Sequence, residues 1–239
     1  DSGRRRSLNS LSYSYDEASM SFKTKKYQVI RGAVSKGLAN FIFNYMMLQR
    51  DAVDLMLKHN KVNPANPFIG GRVDPQAPGA YSKYGDWVME TLLQYVRPIM
   101  KAKTGMDLIP TYSYTRVYEK GNKLKRHKDR PSCEVSTTLH LGGDEWPIFL
   151  DPSGGNYVMD EYKEIHKPGA PKGVRVDLKV GDMLIYSGCE LEHWRETFQG
   201  TVCSQVFLHY NHANGPYAKT NLFDKRPMLG VPDYMRRPK

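Results

Sequence analysis

The sequence predicts an α+β fold in which N-terminal helices support a β-barrel or sandwich of jelly-roll type. Two observations predict it. Between residues 33 and 104 apolar side chains recur at three- and four-residue steps, the spacing of one helix face. After Gly105 short runs rich in β-branched and aromatic residues take over, divided by clusters of turn-forming residues. Helices followed by many short strands bury their apolar surface best as helices packed on a closed or doubled sheet. The length of 239 residues suits one such domain. The expected organisation is a mobile basic arm over 1–26, a single domain over 27–217 and a basic C-terminal tail over 218–239. Within the domain, helices occupy 33–104 and the jelly-roll core 105–212.

Taken in order, residues 1–25 are rich in Ser, Arg and Lys and lack apolar spacing, the composition of a mobile segment. Tyr27 to Arg31 reads as a short strand. Ser35 offers an N-cap to a helix with Leu38, Ile42, Tyr45, Leu48, Ala52 and Leu55 on its apolar face, ending near His59. Residues 60–81 are rich in proline and glycine and read as a loop. A second helix follows from about Ser82, with Tyr84, Val88, Leu92, Tyr95 and Ile99 as its stripe and Pro98 as a kink. Six strands then follow: LIPTYSYTRVY, CEVSTTLHL, WPIFL, VRVDL, DMLIY and VCSQVFLHY.

Several function classes are disfavoured. No apolar run approaches the roughly 20 residues of a membrane span, and the N-terminus lacks the apolar stretch of a secretory signal. The three cysteines, Cys133, Cys189 and Cys203, are odd in number and lack C-x-x-C spacing, so reduced thiols in a cytoplasmic protein are expected. The net charge of +10 sits largely at the ends. Residues 1–26 contribute +3 (six basic, three acidic) and 218–239 contribute +4 (six basic, two acidic), leaving +3 on the body. Nucleic-acid binding through the body is therefore not expected.

The chemistry lies in one constellation. His127 and Asp129 form an H-x-D pair, and residues two apart in extended chain point to one side. His193 follows Asp129 after 63 intervening residues, at the end of DMLIYSGCELEHWRE. Two imidazoles and one carboxylate can occupy one face of an octahedron and leave three positions open, which suits ferrous iron.

From Tyr112 to Asn211 the chain resembles the prolyl 4-hydroxylase-like branch of the iron(II)/2-oxoglutarate oxygenases. The blocks that carry the resemblance are TYSYTRVYEKGNKLKRHKDRPSCEVSTTLHL, KVGDMLIYSGCELEHWRE and CSQVFLHYN. Residues 27–104 are similar, less specifically, to the helical support of sequences carried by marine phages, which for a phage protein means the host-cell cytoplasm. The resemblance implies a double-stranded β-helix and iron(II) on His127, Asp129 and His193, with 2-oxoglutarate and dioxygen as co-substrates. It further implies that 2-oxoglutarate is decarboxylated to succinate while a C–H bond is hydroxylated, on a prolyl residue or an amino acid within a peptide or small-molecule substrate.

One departure matters. The family places an Arg or Lys nine or ten residues after the distal histidine to clamp the 2-oxoglutarate 5-carboxylate, and here those positions are Val202 and Cys203. A buried carboxylate left unpaired is costly, so another group must serve. Tyr118 matches the family tyrosine, and Arg116, His140, Arg130 and Arg195 are the other candidates. Tyr112, Tyr114 and Trp194 are candidate walls of the substrate pocket, and segments 60–81 and 151–172 candidate lids. His166, His209 and His212 show no spacing that argues for a second metal. The competing readings are a nucleic-acid-binding or demethylating protein and a catalytically idle jelly-roll module.

Overall fold

The computed structural model describes residues 22–64 and 66–237. Strand β1 (Tyr27–Ile30) leads into helix α1 (Lys36–Lys58), then β2 (Tyr81–Tyr84) and helix α2 (Trp87–Thr104). The remaining strands are β3 (Leu108–Glu119), β4 (Leu124–His127), β5 (Val135–Gly143), β6 (Ile148–Leu150), β7 (Val158–Asp160), β8 (Ile165–His166), β9 (Val174–Val176), β10 (Met183–Tyr186), β11 (His193–Arg195) and β12 (Val202–His212). They form a six-stranded sheet in the order β1-β10-β5-β12-β3-β2, a four-stranded sheet β4-β11-β6-β9 and the small β7-β8 pair. Every pairing is antiparallel. This is the predicted jelly roll, a double-stranded β-helix with N-terminal helices.

The helices cover the outer face of the six-stranded sheet. Val206, Leu208 and Tyr210 of β12 and Leu139 and Leu141 of β5 pack there against Ala39, Ile42 and Met46 of α1 and Met89, Leu93, Val96 and Met100 of α2. Each such side chain contributes roughly 1.5–3 kcal/mol on burial. Because alternate strand residues face opposite ways, the residues between them, Ser136, Thr138 and His140 on β5 and Gln205, Phe207 and His209 on β12, point into the barrel. Those inward positions carry the polar chemistry.

Both helices start at side-chain caps. Ser35 accepts from the Leu38 amide at 3.2 Å, as expected, and α1 ends at His59. The second helix begins later than expected: Tyr81–Tyr84 form an edge strand on β3, and Asp86 caps α2 by accepting from the Val88 amide at 2.9 Å. The helix runs unbroken through Pro98 to Gly105, which closes it at φ 68°. The predicted stripes are rotated from the real ones. Leu48 and Leu55 are 72% and 58% exposed and Tyr95 62%. Each helix carries two overlapping apolar sets, and the one rich in small and flexible residues (Ala39, Met46, Met89, Met100) fits the twisted sheet more closely.

The ends also differ from expectation. Residues 1–21 of the basic arm lie outside the described residues, but Phe22 is buried in the main core. The basic tail is no solvated appendage over 218–237. Arg226 is buried and donates to Glu90 of α2 at 2.6 Å, and Asp224 is buried among the hydroxyl of Tyr84 and the guanidinium groups of Arg130 and Arg236. Phe223, Asp224 and Lys225 all have positive φ (52°, 56° and 66°), a strained run for non-glycine residues held by those ion pairs. Among the described residues no helix is long and apolar enough to cross a membrane, and all three cysteines are free thiols.

Candidate metal centre

Strands β4 and β11 pair antiparallel, and His127 lies directly opposite His193. Their imidazole centroids are 4.3 Å apart. The chain folds this way because β4 ends where KDRP begins: extended backbone carries His127 and Asp129 to the same side, and the Asp129 amide is fixed by the Gly188 carbonyl at 2.9 Å. Asp129 Oδ1 sits 3.5 Å from His127 Nε2 and 3.6 Å from His193 Nε2. Both histidines are buried, and Asp129 is 13% exposed.

The hydrogen bonds decide what these atoms can do. His127 Nδ1 lies 2.7 Å from the Lys125 carbonyl and His193 Nδ1 3.0 Å from the Leu191 carbonyl. A carbonyl only accepts, so each Nδ1 carries a proton and each Nε2 is turned toward Asp129. In the neutral tautomer two lone pairs and a carboxylate oxygen converge, with the Tyr186 hydroxyl 3.5 Å from His193 Nε2, an arrangement that a cation between them would relieve. His127, Asp129 and His193 form a group able to hold a metal ion. The backbone bonds to Nδ1 orient the ligands as the outer hydrogen bonds of metal sites do. Gly188 is required here. A Cβ on it would lie 2.4 Å from Asp129 Oδ2 and 2.6 Å from Ser136 Oγ.

Deeper in the barrel lies an unusual group of donors. Arg195, two residues beyond His193 on the same strand face, is completely buried. Its Nη1 donates to the Trp146 carbonyl and its Nη2 to Thr138 Oγ1 at 3.2 Å, while its Nε has no partner. Among the described residues no carboxylate lies within ion-pair reach of it, and burial pushes its pKa down. Two further buried donors near it are also orphaned, the Tyr118 hydroxyl and His140 Nε2. Gln205 donates to His140 Nδ1 at 2.9 Å, which places the ring proton on the orphaned Nε2. Burial, then the Arg195 charge, depress the His140 pKa to about 4. Tyr118 and Arg195 both pack on Trp146, at 4.8 Å and 5.2 Å. The Arg195 Nε–H, the Tyr118 hydroxyl and the His140 Nε2–H are thus three buried donors without an acceptor among the described residues.

The other candidates fall elsewhere. Arg116 is buried in a cavity of about 270 Å³ that also reaches His127, Asp129 and His193. It is already engaged, through Nε to Asp74 Oδ2 at 2.6 Å and Nη2 to Gln76 Oε1 at 2.8 Å. Tyr112 and Tyr114 line the same cavity, and the Tyr114 hydroxyl donates to Asp74 at 2.9 Å. Arg130, expected near the co-substrate, is instead gripped by both oxygens of Asp224 at 2.6 and 2.7 Å. Trp194, expected in the pocket wall, faces out: it alternates with His193 and Arg195 and stacks on Phe149 and under Arg126, 4.1 Å from its ring. Of the two expected lids, 60–81 contributes Asp74, Pro75 and Gln76 to the cavity wall and 151–172 contributes Tyr162. Sequence reasoning missed Asp74, Gln205, Tyr186 and Phe207. The inward alternation of Gln205, Phe207 and His209 on β12 was the available signal for two of them.

No family model matches the sequence, and no curated protein matches it. Solved structures do match. A prolyl-4-hydroxylase from Pseudomonas putida shares 14% identity at TM-score 0.53, covering 83% of this chain and 98% of that one. HygX from Streptomyces hygroscopicus, with nickel and 2-oxoglutarate bound, shares 15% at TM-score 0.54, covering 83% and 87%. The non-heme α-ketoglutarate-dependent carbocyclase SnoK, from nogalamycin biosynthesis, shares 14% at TM-score 0.58, covering 90% and 92%. The likeness is one of fold, and reactions as different as hydroxylation and carbocycle formation are named on it.

Proposed function

We propose that the chain is an iron(II)- and 2-oxoglutarate-dependent dioxygenase that hydroxylates a C–H bond. The observation that carries this reading is the pairing of two unsatisfied sites within one barrel. Three ligand atoms lie within 4.8 Å of one another, and three buried donors at and near Arg195 have no hydrogen-bond partner. The solved structures of this fold include one described with nickel and 2-oxoglutarate bound, which supports the same pair of occupants here. When bound, iron and 2-oxoglutarate supply the oxidising chemistry, with dioxygen as co-substrate.

The residues of this chain divide the remaining work. His127, Asp129 and His193 would hold the metal, and all three line the cavity. Arg195, with the Tyr118 hydroxyl and His140 Nε2–H, binds the far carboxylate of 2-oxoglutarate. Two residue steps along β11 take His193 to Arg195, roughly 7 Å of backbone, a span suited to a five-carbon dicarboxylate. This relocates the clamp from the position held by Cys203 to β11. Arg116, Asp74 and Tyr114 then belong to the substrate half of the cavity. Their mutual ion pair and hydrogen bond fix the 60–81 loop over the mouth and exclude bulk water. The substrate is a peptide or small molecule that enters between that loop and Tyr162. Three free thiols suit a cytoplasmic protein whose iron stays ferrous.

The test is succinate formation by the full chain with ferrous iron, 2-oxoglutarate and dioxygen. Turnover above the iron-only blank, abolished by His127→Ala, is the expected result. A metal-loaded protein that neither binds 2-oxoglutarate anaerobically nor makes succinate would leave an idle jelly roll as the better description.

A further inference from the structure

We propose that the barrel holds a second, thiophilic metal ion on Asp129, Cys133 and His209, sharing the Asp129 carboxylate with the first. The proposal builds on the His127–Asp129–His193 metal centre described above.

Asp129, Cys133 and His209 each offer a ligand atom, and these atoms lie within 4.8 Å of one another. The two groups divide Asp129 between them. Its Oδ1 faces the imidazoles of His127 and His193, while its Oδ2 turns the other way and accepts from Ser136 Oγ at 2.9 Å. The Ser136 hydroxyl lies equally close to His209 Nδ1, at 2.9 Å, and so links these two ligands. Cys133 Sγ contacts the Tyr112 hydroxyl at 3.0 Å, and the Tyr112 ring packs on His209 at 4.5 Å. Cys133 and His209 are buried, and His209 and Asp129 open onto the same cavity as the first site, which provides a route in.

Sequence spacing hid this set. Asp129 precedes the short 3-10 turn Pro131–Cys133 and Cys133 ends it, while His209 lies on β12 and is brought in because it pairs with Ser136 of β5. Spacing gave no argument for a second metal at His209, and strand pairing supplies one.

The donor types select the ion. One imidazole, one sulfur and one carboxylate oxygen suit zinc, with water in the fourth position, or cobalt in its place. Magnesium and calcium require oxygen donors and are disfavoured. Binding replaces the Cys133 S–H proton, which leaves to solvent, with a metal–sulfur bond, and no electron is transferred. Because Asp129 becomes a bridge, the two occupancies are coupled, and each ion changes the affinity of the other by the same factor.

The experiment is an anaerobic cobalt(II) titration of the reduced full-length chain, followed by absorbance. We expect two equivalents, only one of which raises a near-ultraviolet thiolate-to-cobalt charge-transfer band. Cys133→Ser should remove that band and one equivalent, Cys189→Ser should leave both, and His127→Ala should remove the other equivalent while the band persists. Should Cys133→Ser fail to fold, His209→Gln replaces it with the same expectation of one lost equivalent. A single equivalent without the band overturns the second site, as does a band that survives Cys133→Ser or disappears in Cys189→Ser. If His127→Ala costs no equivalent while Cys133→Ser does, the first centre fails and the second stands.

Discussion

His127 and His193 face each other across one antiparallel pair, and each donates its Nδ1–H to the carbonyl two residues before it in the chain. The same local device thus fixes both tautomers and aims both Nε2 atoms at Asp129. Replacing either histidine with alanine removes a ligand and leaves the other two misdirected. We expect at least a 100-fold loss of ferrous-ion affinity for each variant, with little change in secondary structure, checked by anaerobic calorimetry and circular dichroism.

Arg195 makes a prediction with two opposite signs. Its guanidinium is completely buried and has no carboxylate partner among the described residues, so a hydrophobic residue of similar volume relieves a desolvation penalty. In the absence of 2-oxoglutarate, Arg195→Met should raise stability by about 1 kcal/mol. The same change should weaken 2-oxoglutarate binding about 10- to 100-fold, the value of a hydrogen bond to a charged group. Thermal melts with and without 2-oxoglutarate read both. A variant that is less stable and binds 2-oxoglutarate normally would show that Arg195 is only a packing residue.

The sequence carried the site better than the scaffold around it. His127, Asp129 and His193 were legible because strand alternation makes an H-x-D pair converge and because their turns and strands follow in order. Arg195, the proposed clamp, stood in the sequence only as one of five candidates. What separates it from Arg116 and Arg130 is that Asp74 and Asp224, distant in sequence, neutralise those two. The helix faces were misread because two apolar stripes overlap and only the sheet chooses between them. The tail over 218–239 looked solvated because its charge was visible and its buried partner, Glu90, was not.

Gly188 tests how tightly Asp129 is held. A methyl group there meets Asp129 Oδ2, the Cys133 carbonyl and Ser136 Oγ at 2.4 to 2.6 Å. Neither the backbone nor the ligand can move without changing the metal geometry. Gly188→Ala should therefore lower metal affinity about 10- to 100-fold while the apo protein still folds, as judged by comparing metal isotherms with denaturant midpoints.

Arg226 ties the C-terminal segment to α2. It donates to Glu90 at 2.6 Å and to the Val231 carbonyl at 2.7 Å, and both members of the ion pair are buried. Removing one partner of such a pair leaves a buried charge behind, which costs about 3–5 kcal/mol. Arg226→Met should shift the urea midpoint down accordingly. A change under about 0.5 kcal/mol, typical of surface substitutions, would mean the segment is not anchored as described.

His140 sets a pH dependence whose sign follows from its surroundings. Burial first and the nearby Arg195 second lower its pKa to about 4, from 6.5 in the unfolded chain. The unfolded state therefore takes up a proton as pH falls below 6.5, while the folded state refuses it until about 4. The stability that neutral His140 protects is fully present above pH 6.5 and is lost as pH falls through that window. One pKa difference of this size amounts to about 2 kcal/mol at pH 5 relative to pH 8. His140→Gln keeps a polar side chain and removes the titration, so the drop in urea-derived stability between pH 8 and 5 should shrink by about that amount. Binding of 2-oxoglutarate supplies an acceptor for the orphaned Nε2–H and favours the protonated ring, so saturation with it should also flatten the wild-type curve. If the curve keeps its full slope both in the variant and with 2-oxoglutarate bound, His140 lies in neither the anion seat nor the titrating core.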